Sequence, residues 1–66
     1  MSVAKVIEIS AESENSFDDA IRTGIEKAAS TVSDIQSAWI KDQVVLAKNG
    51  SIQGYRVHMN VTFRLK

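Results

Sequence analysis

The sequence predicts an α+β fold, a β-α-β-β subunit whose three-stranded antiparallel sheet packs on one amphipathic helix. Three observations carry this. A period-two apolar run near the N-terminus is followed by one run of three- and four-residue spacing. Two further period-two runs then flank Asn49-Gly50, the strongest short hairpin signal. With no Pro and three Gly, nothing resembling a linker divides the chain, so residues 1–66 read as one domain.

The first strand spans Val3 to Ile9. Val3, Lys5, Ile7 and Ile9 alternate with Ala4, Val6 and Glu8, and the β-branched content suits a pleated surface. The small polar stretch from Ser10 to Asn15 reads as a loop. Ser16 has the character of a helix N-cap, with Asp19 as an acidic variant of the capping box. Phe17, Ala20, Ile21, Gly24, Ile25, Ala28 and Val32 form one stripe, which predicts an amphipathic helix over 17–33. From Gln36 the period returns to two. Ala38, Ile40, Val44 and Leu46 are expected on one face; Ser37, Trp39, Lys41 and Gln43 on the other. In the last strand Tyr55, Val57, Met59, Val61, Phe63 and Leu65 oppose Arg56, His58, Asn60, Thr62 and Arg64.

Composition narrows the function. Eight basic residues balance eight acidic ones, which argues against nucleic acid, whose affinity comes largely from phosphate neutralisation. No apolar run approaches the roughly 20 residues of a membrane span, and the first residues lack the order of a secretory signal. A soluble, cytoplasmic protein is expected. There is no Cys and only one His, so disulfides, thiolate metal sites and multi-histidine zinc sites are excluded. A chain this short buries only about 60% of its unfolded surface, so self-association is the expected staple.

No nucleophile–base pair follows from spacing, and no phosphate loop or HExxH motif is present. The chain is therefore not expected to be an enzyme. His58 lies in mid-strand and reads as a solvated or interfacial residue rather than a catalytic base. Trp39 falls in the otherwise polar register. Its indole either fills a subunit interface or stacks a planar ligand. Ser37 shares its strand face and Arg56 shares its sheet face, where a guanidinium is suited to a phosphate or ring carbonyl. Asp42 falls in the expected apolar register, which calls for a partner. Either a salt bridge to Arg22 or Arg64 supplies it, or a ring of carboxylates around a symmetry axis binds a hard cation such as calcium. Glu12 and Glu14 read as solvated companions of the helix dipole.

Taken together, Lys-Val-Ile-Glu-Ile at 5–9, Ser16-Phe17, the Ala-rich helix, Thr31-Val32, Tyr55 and Val-Thr-Phe-Arg-Leu at 61–65 resemble the dodecin family over nearly the whole chain. The resemblance implies a hollow homododecamer that binds and stores ligand without catalysis. In most dodecins a Trp early in the second strand stacks on a flavin, and a Gln after the third-strand Tyr bonds the ring edge. Those positions are here Ser37 and Arg56, and the family's acidic residue two places beyond the Trp is Trp39. The departures are similar to those of the calcium dodecins, as is the pair Asp42-Gln43. The expectation is thus a small-ligand or ion storage protein with the flavin site degenerate. Calcium is placed ahead of riboflavin or FMN held through Trp39, and a purely structural shell is the remaining alternative.

Overall fold

The computed structural model describes residues 3–65. Strand β1 (Val3–Ser13) is followed by helix α1 (Phe17–Ala29), then β2 (Ile35–Lys48) and β3 (Ser51–Leu65). β3 is the central strand of an antiparallel sheet ordered β1-β3-β2. This is the expected β-α-β-β architecture, and the helix lies over β1 and β3.

β1 runs four residues beyond the expected Ile9. The stretch read as a loop instead pairs with β3, Ser10 opposite His58 and Glu12 opposite Arg56. Long-range ladder bonding outweighs the low strand propensity of small polar residues, because propensity in sheets is set by context. Ser16 caps α1 as expected, its hydroxyl accepting from the Asp19 amide at 3.0 Å. The Asp19 carboxylate makes no reciprocal box. It accepts from the Ser13 hydroxyl at 2.7 Å and from Arg22 at 2.6 Å, so it ties the helix start to the end of β1.

The helix ends at Ala29, four residues before the expected Ser33. The Lys27 and Ala28 carbonyls accept backbone N–H groups of Ser30, Thr31 and Val32, and the Ser30 and Thr31 hydroxyls donate to the same two oxygens, so the helix end is closed locally. The chain then turns through Asp34 at φ 61°, a conformation Asp tolerates better than most residues. The Arg64 amide donates to the Asp34 carbonyl at 3.0 Å, docking the connection on β3. Asn49 and Gly50, at φ 53° and 78°, give the hairpin two consecutive left-handed residues, as a type I′ turn requires.

The core lies between α1 and one sheet face. Ala20, Val57, Met59 and Val61 are its buried centre, flanked by Ile7, Ile9, Ile21, Ile25, Ala38 and Ile40. β1 registers with β3 only from Tyr55 onward, so Leu46–Lys48 and Ser51–Gly54 extend past it as a two-stranded arm. No helix among the described residues is long and apolar enough to cross a membrane.

One expectation for β2 is overturned. Ile40 pairs with Met59 but Asp42 pairs with His58, leaving Lys41 as an extra residue in a bulge. A bulge shifts the alternation by one. Ala38 and Ile40 therefore face the helix, whereas Asp42, Val44 and Leu46 share the opposite, outer face with His58, Arg56 and Gly54. Asp42 does not interrupt the apolar face. Its partner is neither Arg22 nor Arg64 but His58, at 2.6 Å.

Candidate functional site

The outer face of the sheet is a grid of side chains in rows, each row crossing β1, β3 and β2. Val6, Thr62 and Ser37 form one row, followed by Glu8, Asn60 and Trp39, then Ser10, His58 and Asp42, then Glu12, Arg56 and Val44. Alternation along three registered strands brings these residues to one surface.

Polar groups in the grid are paired across strands. Lys41, lifted by the bulge, reaches over β3 and donates to Glu8. Each member holds the other charged. The Lys41 hydrogen bond and charge keep the Glu8 carboxyl below its ordinary value, and Glu8 keeps the Lys41 ammonium above its own. Both are exposed, so solvent screening keeps the contribution small. Arg56 donates through both Nε and Nη2 to one Glu12 oxygen at 2.8 Å. Glu12 is thus a strand residue with a cationic partner, not a companion of the helix dipole. A hollow of about 330 Å³ lies over Glu8, Ile9, Ser10, Lys41 and His58.

Trp39 stands apart from this pairing. Its residue is 66% exposed, more than any other large apolar residue described here. Asn60 lies opposite it, and Ser37 is one row away on the same strand. Arg56 is two rows away, about 14 Å along an ideal strand, with His58 in the row between. The indole and that guanidinium share a face but do not form a joint clamp. Ser37, Trp39, Asp42 and Arg56 all belong to the outer face, spread along it rather than gathered at one point.

The cation reading meets a plain constraint. Among the described residues no three His, Cys, Asp or Glu side chains converge as a metal would need. Calcium takes six to eight oxygens, and Asp42 is directed at His58. One subunit alone does not fit the ion.

The residues missed by sequence reasoning are Glu8, Ser10 and Lys41. Ser10 was hidden because the loop reading removed it from the sheet, and the Glu8–Lys41 pair because it depends on which strands flank β3.

Comparison with known proteins gives this surface its context. The family model described as Dodecin matches residues 3–66. The chain belongs to the dodecin family. Among solved structures, it is similar to the dodecin from Streptomyces davaonensis, with 29% identity and a TM-score of 0.93, over 98% of this chain and 96% of that one. It is also similar to the calcium dodecin of Mycobacterium tuberculosis, described as a calcium-chelating antigen with a novel calcium-binding site. There the identity is 32% and the TM-score 0.85, over 98% of this chain and 93% of that one. A dodecin of Thermus thermophilus, 24% identical with a TM-score of 0.93 over 100% of this chain and 97% of that one, shares the fold. No curated protein matches the sequence. The dodecin relationship thus covers the whole described fold, including the outer face.

Proposed function

We propose that this dodecin is a cytoplasmic binding and storage protein that works as a homododecamer, with the outer sheet faces of several copies forming the ligand sites. The observation that carries the reading is the state of the two positions equated above with flavin contacts. Ser37 has no ring to stack, and Arg56 is engaged by Glu12. Loss of an aromatic stack removes roughly 1–3 kcal/mol. Three carboxylates, Glu8, Glu12 and Asp42, occupy the same face, and likeness to a calcium-chelating dodecin supports a hard cation, calcium foremost. Since one subunit supplies too few convergent oxygens, the ion is held only where copies meet, with Asp42 as the candidate ligand released from His58.

A second reading rests on Trp39. Its exposed indole beside Ser37 and Asn60 is a flat apolar plate able to stack riboflavin or FMN, in a geometry displaced about 7 Å from the family's usual Trp position.

One titration separates these. With calcium as ligand, the melting temperature of the assembled protein rises by several degrees at millimolar calcium and returns with chelator, because a ligand bound only by the native state stabilises it by mass action. Asp42→Ala abolishes the rise. An unmoved melting temperature overturns the cation reading. Quenching of Trp39 emission by micromolar FMN would then establish the flavin reading, and unchanged emission in both titrations leaves a structural shell.

A further inference from the structure

The turn between β2 and β3 holds the one Asn-Gly pair in the chain. Asn49 and Gly50 are both exposed, and open space surrounds the point where a Cβ on Gly50 would stand. Among the described residues the Gly50 amide makes no hydrogen bond. The chain's other two asparagines are each followed by an engaged amide. The Ser16 amide, after Asn15, donates to the Ser13 hydroxyl at 3.3 Å. Val61, after Asn60, is fully buried on the central strand and paired with both neighbours. Asn49 alone thus precedes a backbone nitrogen that is neither bonded nor shielded. The turn that carries it is also weakly held. Ala47 pairs with Ile52 and Lys48 with Ser51, while among the described residues β1 has no register partner beyond Tyr55. A hairpin with no third strand is marginal, so local opening at this tip needs little free energy. Opening matters for the chemistry. With φ at 53°, Asn49 sits in the left-handed well, where ψ is about +47°. That bond must rotate before the Asn49 side chain can meet the nitrogen of Gly50.

We propose that Asn49 is a self-modification site, where the chain converts a side-chain amide to a carboxylate through a cyclic imide formed with Gly50. In the opened turn hydroxide takes the Gly50 N–H proton, and the nitrogen attacks Asn49 Cγ. The tetrahedral adduct collapses, the Cγ–Nδ2 bond breaks, and ammonia departs with a proton drawn from water, which restores the hydroxide. A five-membered imide remains. Water then adds to one of its two carbonyls. Addition at Cγ opens the ring to an aspartyl residue. Addition at the main-chain carbonyl carbon leaves the chain running through Cγ, an isoaspartyl linkage. Nothing is oxidised or reduced, and water is the sole co-reactant. Either product adds one negative charge, beside Lys48, to a chain whose eight basic and eight acidic residues balance. The isoaspartyl form also lengthens the main chain by a methylene within the turn that sets the Lys48–Ser51 register.

The inference goes beyond ligand storage and uses none of the residues assigned to it, so it stands whichever ligand the outer face holds. The assembled wild-type protein is aged in warm, mildly alkaline buffer made with heavy-oxygen water, and every asparagine is followed by peptide mass. The expected result is loss of the amide and gain of one labelled oxygen on the peptide bearing Asn49. That peptide elutes as two isomers, one of which accepts a methyl group from an isoaspartate-specific carboxyl methyltransferase. Asn15 and Asn60 keep their amides while half of Asn49 converts. The aged protein divides on anion exchange into the original form and a more acidic one. Asn49→Gln, whose longer side chain has to close a larger ring, yields no acidic form over the same period. Position 49 is exposed, so that variant keeps its fold, which circular dichroism verifies. An Asn49 amide that survives ageing, an aspartyl product without its isoaspartyl isomer, or equal loss at Asn15 and Asn60 overturns the proposal.

Discussion

Trp39 and Gly24 mark the two extremes of constraint on individual side chains. Trp39 is exposed, so Trp39→Ala should leave the secondary structure intact while weakening assembly or ligand binding. Circular dichroism and light scattering on the same sample check both halves. Gly24 is the opposite case. A Cβ there would lie 2.7 Å from the Met59 Cε and 2.9 Å from the Ala11 Cβ. Met59 can yield, but Ala11 sits on a paired strand. Gly24→Ala should therefore cost about 1–3 kcal/mol of overpacking, against which helix propensity returns up to about 1 kcal/mol. A lowered melting temperature is the expected reading. Little of the chemistry was legible at this scale. Asp42 stood out by its register, yet its partner could not be named, because that depends on which strand lies opposite.

At the level of elements, the alternation in β3 and the stripe of α1 were clear because apolar periodicity follows burial directly. The Lys41 bulge was invisible. A residue inserted into a ladder leaves no compositional mark, and its effect is to exchange faces for everything after it. The end of β1 was missed for a related reason, since Ser10–Ser13 are held by pairing with β3 and not by their own preference. The bulge makes a sharp prediction. Deleting Lys41 leaves Ile40 opposite Met59 and Asp42 opposite His58 in an unbroken ladder, so the shortened chain should still fold. The Asp42–His58 contact should persist in an NMR or crystal structure, with the Glu8 pair alone lost. The hairpin turn is less forgiving. Gly50→Val puts a β-branched residue at φ 78° and should destabilise by about 1–2 kcal/mol, seen as a lower midpoint in urea.

At the scale of the molecule, the buried apolar residues among those described are only Ala20, Ala28, Val57, Met59 and Val61, while Val6, Trp39, Val45 and Ile52 are exposed. So thin a core favours association, and light scattering should return the mass of several subunits. Charge pairing shapes the pH response. Glu8 is held below 4.5 chiefly by Lys41, and Asp19 below 3.8 chiefly by the Ser13 hydroxyl. Their stabilisation is complete above those ordinary values and disappears as pH falls through the lower folded ones. Lys41, raised above 10.5 by Glu8, contributes fully below that value and is lost as pH climbs through the higher folded one. The melting temperature should thus be flat from about pH 5 to pH 10 and decline outside it. Glu8→Gln should soften both edges, as a thermal series across pH would show.

The arm beyond Tyr55 carries one more consequence. At its tip, Ala47–Lys48 pair with Ser51–Ile52 and, among the described residues, β1 has no register partner there, so in a lone subunit these amides should trade hydrogen for deuterium well before those of Val57–Val61. A faster trade at the tip on dilution, with the centre unmoved, is the expected sign that a second copy covers it; equal rates at every concentration would leave the tip bare.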